Sequence, residues 1–385
     1  MRCATRRCQA ELPAELLADH RREDVLAVQA FGVHPWAALP DSAYLIGSTK
    51  DRDLVHHRAL GRTGRVISAV GLGTWQLGAD WGEVTESAAL DVLETSAEAG
   101  VTFYDTADVY GDGRSEQIVG RFAAAHPDAG FTVATKMGRR AEQVPSSYVA
   151  ANFRQWVDRS RTNLAVDTLD LVQLHCPPSE VIESDATYDA LDALVADGSI
   201  AAYGVSVETC DQALAAIARP GVASVQIILN AFRLKPLDAV LPAAEAAGVG
   251  IIARVPLASG LLSGRYSAAT TFAADDHRTY NRDGSAFDVG ETFSGVDFET
   301  GLTAAQEFAG LIGALAPEEA TPAQAAIAWC WQQPGCTTVI PGARTADQAR
   351  SNAAAGDLPA LSADVLAGVR RIYDTRIRGA VHDRW

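Results

Sequence analysis

From Leu60 onward the chain alternates between short apolar runs and longer stretches in which apolar residues recur every three or four positions. The short runs have the length and β-branched content of buried strands, and the longer stretches have the period of amphipathic helices. Eight strands are predicted, at residues 70–72, 103–105, 131–136, 169–175, 201–206, 225–229, 250–254 and 338–341. Helices are predicted at 86–99, from 115, at 148–162, at 188–196, from 210, at 237–247, at 304–315, at 322–332 and from 346.

Eight strand–helix units in succession favour the α/β class, and within it a closed (β/α)8 TIM barrel with a parallel sheet. A doubly wound open sheet is the alternative, but its dinucleotide-binding signature G-x-G-x-x-G is incomplete in the segment G-L-G-T-W at 71–75. The turn residues at 61–64, between two short β-prone pieces, predict a small hairpin. The predicted fold is therefore a TIM barrel preceded by a short hairpin.

Two segments stand apart from this alternation. Residues 1–57 show no strand–helix rhythm, and we interpret them as an N-terminal extension of unassigned role, with residues 58–385 as the barrel domain. A long loop from Ser263 to about Gly301 follows the seventh barrel strand and is rich in Asp, Gly, Arg, Thr and Phe. Loops this long inside compact domains are commonly lids or binding loops, so we expect this one to border a ligand site.

Composition narrows the class of function. The 385 residues are 48% hydrophobic, which is ample for a large core, and carry a formal net charge of −16. Such a charge repels phosphate backbones and argues against nucleic-acid binding. No apolar run is long enough to span a bilayer, and no apolar signal core follows the first arginines, so we expect neither membrane insertion nor secretion. The six cysteines show no paired metal-binding spacing, and a reduced, cytoplasmic compartment is the simplest expectation.

The stretch F-Y-D-T-A-D-V-Y-G at 103–111 contains the first candidates for chemistry. Asp105 ends a predicted buried strand, and Tyr110 follows five residues later on the adjoining loop. In a parallel barrel such residues meet at the C-terminal mouth, where active sites lie. A carboxylate at a strand end is also a common turn former or helix cap, and a loop tyrosine often serves only in packing.

Polar residues at the ends of other strands favour the catalytic interpretation. Lys136 ends its strand, and a charged lysine beside Asp105 would lower the pKa of the Tyr110 phenol from about 10. A phenol tuned in this way can protonate the alkoxide that forms from a carbonyl. His175 ends an apolar run, and its neutral imidazole could orient the same carbonyl oxygen. The predicted strand-end residues are Asp105, Lys136, His175, Ser206, Gln226, Asn230 and Arg254.

The chain resembles the catalytic tetrad of the aldo-keto reductases at four residues, Asp105, Tyr110, Lys136 and His175. The motifs that carry the resemblance are D-T-A-D-x-Y-G, T-K and L-V-Q-L-H, in this order. The resemblance extends over about residues 60–357 and so covers the barrel. It implies that Tyr110 is the proton donor and that Lys136 and Asp105 tune its acidity. It also implies that His175 orients the carbonyl of the substrate.

The end of the last predicted strand carries a second candidate site. The segment I-P-G-A-R at 340–344 leads into a predicted helix, and Arg344, Gln348 and Asn352 are spaced by four, as on one helix face. A helix N-terminus beside an arginine is a good position for a phosphate group. The segment resembles the family's site for the adenosine 2′-phosphate, which implies NADPH rather than NADH as the cofactor.

Further cofactor contacts follow from the resemblance. It implies that Ser206 and Gln226 hold the nicotinamide carboxamide, and that the segment P-L-A-S-G-L-L at 256–262 follows the pyrophosphate, where small residues admit backbone N–H groups. Two positions depart from the usual pattern. Val207 stands where many members have asparagine, and Arg254 stands where an aromatic residue often stacks on the nicotinamide, which a guanidinium can also do. The candidate cofactor residues are Ser206, Gln226, Arg254, Pro256, Leu257, Ser259, Gly260, Leu262, Gly342, Arg344, Gln348 and Asn352.

Two tryptophans after the first barrel strand, Trp75 and Trp81, are predicted walls of the substrate pocket. They could instead pack at the rim of the barrel. As pocket walls they favour an uncharged or modestly polar aldehyde or ketone with one apolar side.

Three functions follow from these observations. The first is an NADPH-dependent carbonyl reductase with Tyr110 as proton donor, which the intact tetrad favours. The second is a regulatory or redox-sensing subunit that binds NADPH with little turnover, because one fold can serve several functions. The third is an aldolase-like barrel in which Lys136 forms a Schiff base with a carbonyl substrate.

Overall fold

The computed structural model describes residues 56–78, 84–286, 290–315 and 320–385. The predicted N-terminal extension, apart from its last two residues, and the predicted pocket residue Trp81 lie outside the described residues. The strands in the described ranges are β1 His57–Ala59, β2 Val66–Ser68, β3 Leu72–Gly73, β4 Phe103–Asp105, β5 Thr132–Met137, β6 Leu171–His175, β7 Tyr203–Ser206, β8 Val222–Ile228, β9 Gly250–Arg254 and β10 Thr338–Val339.

Strands β3 to β10 form one parallel sheet in which neighbours in the sheet are also neighbours in the chain. The two outer strands meet and close the sheet: the Gly71 N–H donates to the Val339 carbonyl at 2.8 Å, and the Val339 N–H donates to the Ala69 carbonyl at 3.0 Å. A third bond, from the Gly73 N–H to the Pro341 carbonyl at 3.1 Å, continues the closure. The predicted barrel is therefore confirmed, and the open-sheet alternative is wrong.

The predicted hairpin is also confirmed, and it closes the N-terminal end of the barrel. Strands β1 and β2 pair in antiparallel register. Gly61, in the turn between them, has a φ of +49°, and a Cβ atom there would lie 2.1 Å from the carbonyl oxygen of Ala223 near the start of β8. Only glycine fits this approach. Leu60 and Ile67 pack in one cluster with apolar residues of several barrel strands, including Phe103 and Leu171.

Helices alternate with the barrel strands as predicted. Their bounds are α1 Glu86–Glu98, α2 Arg114–Ala125, α3 Ala150–Leu164, α4 Ser179–Glu183, α5 Asp185–Ala196, α6 Cys210–Ile217, α7 Val240–Ala247, α8 His277–Tyr280, α9 Phe298–Leu315, α10 Pro322–Trp331, α11 Ala346–Ala353, α12 Ala363–Ile372 and α13 Arg378–Val381. Thr209 and Thr321 each form a capping box that fixes the start of α6 and α10. No helix in the described ranges is both long and apolar enough to cross a membrane.

Several boundaries differ from the predictions. Helix α9 begins at Phe298, six residues before the predicted start, because the Asp297 carboxylate accepts the N–H groups of Glu299 and Thr300 at 3.1 Å. The short helix α4 and the C-terminal helices α12 and α13 were not predicted. The long loop after β9 is not featureless, since it contains α8 and two 3₁₀ turns, Ala258–Ser263 and Thr292–Gly295.

Candidate active site

The barrel brings Asp105 and Lys136 side by side at the C-terminal ends of β4 and β5. Asp105 is in register with Ala134. Lys136 follows Ala134 by two residues and therefore projects from the same face of β5. Both side chains are almost entirely buried, with 3% and 1% of their surface exposed. The register of two parallel strands thus builds a charged pair inside the barrel mouth.

Lys136 is the centre of the polar contacts. Its Nζ donates to Asp105 Oδ1 at 2.5 Å and to the Thr106 carbonyl at 2.9 Å. The same Nζ lies 3.5 Å from the Tyr110 hydroxyl. Tyr110 begins a short turn, Tyr110–Gly113, in which Gly111 and Asp112 have left-handed backbone angles. A Cβ on Gly111 would lie 2.2 Å from the Gly78 carbonyl oxygen, so glycine is needed to fold Tyr110 back over the lysine.

The surroundings of Tyr110 and Lys136 correct the prediction made for the pKa of Tyr110. Burial raises the pKa of the Tyr110 phenol above its usual value of 10, and the Lys136 ammonium lowers it by less than burial raises it. The expected net lowering is therefore wrong, although the lysine acts in the expected direction. Burial also lowers the pKa of Lys136, but the Asp105 carboxylate and Tyr110 more than offset it, so the net shift is upward. Lys136 is thus a cation and Tyr110 a neutral phenol at pH 7.

Two buried amides complete the surroundings of Asp105. Gln173 and Gln226 donate to Asp105 Oδ2 at 3.1 and 2.8 Å. Gln226 was predicted as a cofactor residue; its amide nitrogen is directed to Asp105, while the residue also borders the cleft described below. Gln173 was missed. Its position two residues before His175 in an apolar strand places both on one strand face, and that signal could have revealed it.

Two aromatic rings contact the Tyr110 ring. The His175 ring meets the Tyr110 ring edge-on, with centroids 5.9 Å apart and an interplanar angle of 87°. The Trp75 ring stacks on the Tyr110 ring with centroids 6.1 Å apart and also contacts His277, from α8, at 5.4 Å. Burial lowers the pKa of His277 to about 4. This wall of the site is therefore uncharged at pH 7.

One cleft of about 1120 Å³ connects this group with the start of α11. The predicted site residues that border it are Trp75, Asp105, Tyr110, His175, Gln226, Arg254, Pro256, Leu257, Ser259, Gly260, Gly342, Arg344, Gln348 and Asn352. Three predicted residues do not border it: Lys136 lies behind Tyr110, Leu262 packs in the core, and Ser206 is buried with its Oγ 3.5 Å from Cys176 Sγ. His277 and Glu291, from the loop after β9, border it but carry no sequence motif.

The N-terminus of α11 also borders the cleft. Thr345 caps the helix by accepting the Gln348 N–H, and Arg344 precedes it, so only Gln348 and Asn352 share a helix face. Gln348 Oε1 accepts the Arg344 N–H at 2.8 Å, and Asn352 donates to the Gly342 carbonyl at 3.1 Å. The two amides therefore hold the backbone turn that carries Arg344. A cationic side chain next to open helix N–H groups suits an anion.

The turn Ala258–Ser263 forms a further wall of the cleft. Ser259 and Gly260 have φ angles of 55° and 93°, in the left-handed region. A Cβ on Gly260 would lie 2.1 Å from the Tyr266 hydroxyl, which donates to the Ser259 carbonyl at 2.9 Å. Glycine is thus required for this turn. A glycine also lets the backbone approach a ligand closely, as was predicted for this segment.

The model of the aldo/keto reductase family matches residues 69–374 of this chain. The chain belongs to the aldo-keto reductase family. An oxidoreductase of Mycobacterium tuberculosis (strain ATCC 25618 / H37Rv) is 31% identical over 317 residues, which are 80% of this chain and 90% of that protein. The predicted family is therefore confirmed, and it is a family of oxidoreductases.

Solved structures agree with this membership. The glycerol dehydrogenase AKR11B4 of Gluconobacter oxydans superposes with a TM-score of 0.67 and 29% identity, covering 81% of this chain and 93% of that one. An aldo-keto reductase of Klebsiella pneumoniae, solved in complex with NADPH, gives a TM-score of 0.61 at 23% identity, covering 82% and 96%. The second likeness supports the barrel fold.

Arg254 distinguishes this aldo-keto reductase from the pattern expected at its position. Its Nη1 forms a buried ion pair with Glu291, and its Nη2 lies 3.4 Å from the Val207 carbonyl and 3.8 Å from Cys176 Sγ. The guanidinium is thus fixed at the cleft wall by contacts on two sides. Glu291 had no sequence signal, since it lies in an irregular loop 37 residues beyond Arg254.

The structure also bears on the Schiff-base hypothesis for Lys136. A lysine that attacks a carbonyl must be neutral, and enzymes achieve this by lowering its pKa. In this aldo-keto reductase the pKa of Lys136 is raised, and its Nζ is already engaged by Asp105, Thr106 and Tyr110. Lys136 is therefore suited to a fixed charge and not to a nucleophile.

Proposed function

We propose that this aldo-keto reductase reduces an aldehyde or ketone to the alcohol, with NADPH as the reductant and Tyr110 as the proton donor. One observation carries the proposal. The same cleft is bordered by Tyr110 and His175 and also by Arg344 and residues of α11. A dinucleotide with an additional phosphate needs both a site for its reacting ring and a site for its anionic end.

The residues of the cleft fit NADPH. Arg344 and the capped N-terminus of α11 would hold the 2′-phosphate, and the backbone of the Ala258–Ser263 turn would follow the pyrophosphate. Gly342 leaves room for the Gln76 side chain at the cleft wall, because a Cβ there would lie 2.2 Å from Gln76 Nε2. Gln226 borders the cleft and remains our candidate for the carboxamide, whereas Ser206, buried against Cys176, does not border it. The Klebsiella relative, with NADPH bound on the same fold, agrees with this choice of cofactor.

NADPH bound in the cleft would supply a hydride to the carbonyl carbon. Tyr110 donates its hydroxyl proton to the oxygen on which negative charge develops. The Lys136 cation, 3.5 Å from that hydroxyl, stabilises the phenolate that this transfer leaves behind. His175, edge-on to the Tyr110 ring, holds the carbonyl oxygen toward the phenol.

The chemical end of the cleft indicates the class of substrate. Trp75 and His277 form a wall of flat rings beside Tyr110, and the His277 imidazole is neutral at pH 7. Such a wall packs well against an apolar or modestly polar carbonyl compound. Trp75 is therefore our candidate for the substrate pocket.

The test is the variant Tyr110→Phe, which removes one oxygen and keeps the ring that stacks on Trp75. We expect turnover on a panel of aldehydes and ketones to fall about 10²–10⁴-fold, the contribution typical of a general acid. NADPH affinity, measured by titration calorimetry, should stay within error of the parent. Tyr280→Phe is the matched control, since Tyr280 also borders the cleft and should tolerate loss of its hydroxyl.

The outcomes separate the candidate functions. Loss of NADPH affinity in Tyr110→Phe would contradict the role of Tyr110 as proton donor. Tight NADPH binding by the parent with no turnover on the panel would favour a regulatory or sensing subunit instead. Absence of binding to either NADPH or NADH would remove both functions.

A further inference from the structure

Residues 290–296, here called the clasp turn, hold two parts of the cleft wall together. Glu291 forms the buried ion pair with Arg254. The Glu291 carbonyl accepts the Ser259 hydroxyl at 2.9 Å, and the same Ser259 Oγ accepts the Phe293 N–H at 3.2 Å. The clasp turn therefore links the end of β9 to the turn Ala258–Ser263, the segment we propose to follow the pyrophosphate.

The clasp turn has little regular structure of its own to fix it. Its only helical part is the 3₁₀ turn Thr292–Gly295, in which Phe293 and Ser294 have left-handed φ angles of 52° and 57°. Such angles cost free energy in non-glycine residues and persist only when surrounding contacts impose them. Contacts from outside the turn must therefore hold it.

Trp385 supplies such a contact. A Cβ on Gly290 would lie 2.4 Å from Trp385 Cη2, and a Cβ on Gly295 would lie 2.9 Å from Trp385 Cζ2. The indole thus rests directly on the backbone of two glycines of the clasp turn. Arg384 adds a bond from Nη1 to the Gly295 carbonyl at 3.4 Å.

The indole of Trp385 is in turn fixed by Arg233. The Arg233 guanidinium lies 3.7 Å from the centroid of the indole, a close cation–π contact. Arg233 Nη2 donates to the Glu208 carbonyl at 2.7 Å, and Arg233 is 1% exposed. A rigid, buried cation therefore backs the indole, and 6% of the Trp385 surface remains exposed.

We propose that Trp385 is a positioning residue for the cofactor. Wedged between Arg233 and the two glycines, it holds the clasp turn closed, and the clasp turn holds Arg254 and Ser259 at the cleft. The inference rests on the proposed NADPH-dependent function and adds a residue outside the cleft to it. Trp385 does not border the cleft and acts on the cofactor only through the clasp turn.

The experiment compares NADPH affinity and turnover in the parent, Trp385→Ala and Trp385→Phe. Calorimetry is the readout for affinity, because the substitution removes a fluorophore. We expect Trp385→Ala to raise the Kd for NADPH about tenfold. The kcat at saturating NADPH should be unchanged, since Tyr110 and Lys136 are untouched. Trp385→Phe keeps a ring against Arg233 and should restore most of the affinity.

A second variant disturbs the contact between Trp385 and the clasp turn by changing the glycine instead of the indole. Gly290 has a φ of +91°, and Gly290→Ala drives a methyl group into the indole, so it should weaken NADPH binding while Trp385 is intact. Val369→Ala is the control for general loss of stability, since Val369 is buried in the C-terminal helix α12. It should lower the unfolding midpoint and leave the Kd unchanged.

The results that would overturn the inference are specific. Trp385→Ala with a parental Kd would refute it, and so would Val369→Ala with an equal loss of affinity, because the effect would then reflect stability alone. A parent protein that binds no NADPH would instead refute the proposed function on which the inference rests.

Discussion

The Lys136 ammonium lies 2.5 Å from Asp105 Oδ1 with almost no access to water for either side chain. Two charges buried in this way interact strongly, but each has lost its hydration, so the pair stabilises the fold little by itself. What the arrangement supplies is a cation fixed beside the Tyr110 hydroxyl. The ion pair is therefore better explained by the chemistry of the site than by the stability of the barrel.

This relationship predicts a non-additive effect on stability. Asp105→Asn and Lys136→Met each leave an uncompensated buried charge, and each should lower the free energy of unfolding by about 3 kcal/mol. The double variant should lose clearly less free energy of unfolding than the sum of the two single losses, because it removes both charges. Urea unfolding followed by tryptophan fluorescence measures all three variants.

An exposed ion pair serves as the control for this cycle. Arg121 and Glu86 are 2.8 Å apart but have 51% and 57% of their side chains exposed. Removing either partner, or both, should change stability by less than about 1 kcal/mol. Additive losses in the Asp105 and Lys136 variants would show that the buried pair is not coupled.

The site residues on strands or in recognisable motifs could be predicted from the sequence, and those in irregular segments without a motif could not. Asp105, Lys136 and His175 lie on strands, where a period of two and a parallel register fix the direction of each side chain. Glu291 and Trp385 make their contacts from irregular segments, which leave no periodic pattern. The opposing effects of burial and charge on the Tyr110 pKa could not be weighed either, since burial depends on the packed fold.

The raised pKa of Tyr110 predicts opposite pH dependences for the two directions of the reaction. Reduction needs the neutral phenol as acid, so the single-turnover rate should stay flat between about pH 6 and pH 9 and fall only above pH 10. Alcohol oxidation needs the phenolate as base and should rise with pH across the same range. Stopped-flow measurements of NADPH absorbance follow both directions.

Removing the lysine should move this profile in a defined direction. Lys136 lowers the pKa of Tyr110, so Lys136→Met should shift the rise in oxidation to higher pH as well as slowing it. Lys235→Met, which removes another of the few lysines far from Tyr110 in the chain, should leave the profile unchanged. A rise that shifts to lower pH in Lys136→Met would contradict the electrostatic role.

The position of Arg344 predicts a choice between the two nicotinamide cofactors. A guanidinium forms charge-assisted hydrogen bonds to a phosphate that NADH lacks. Arg344→Ala should therefore raise the Kd for NADPH roughly 10–100-fold, about 1.4–2.8 kcal/mol, and leave the Kd for NADH nearly unchanged. Arg350→Ala is the matched control: Arg350 lies on α11, the helix that Arg344 precedes, but is 60% exposed and paired with Asp347. Equal weakening of both cofactors by Arg344→Ala would place the 2′-phosphate elsewhere.

Asp108 predicts a pH dependence of stability that is separate from catalysis. It is 1% exposed, and both of its carboxylate oxygens are shielded from water. Burial and the nearby Glu116 raise its pKa to about 7, although Arg140 and Arg159 act in the opposite direction. The folded protein thus favours the neutral acid, whereas the unfolded chain ionises near pH 4.

The sign of the effect follows from this difference. Between about pH 4 and pH 7 unfolding releases a proton from Asp108, so its contribution to stability falls as the pH rises and is lost above pH 7. Asp108→Asn mimics the neutral acid, so its free energy of unfolding should exceed that of the parent. The difference should grow over this interval and reach about 4 kcal/mol at pH 8. Urea midpoints at pH 5, 6, 7 and 8 measure the gap, and exposed Asp128→Asn should show none. A gap that is constant with pH would mean that Asp108 is ionised in the folded protein throughout.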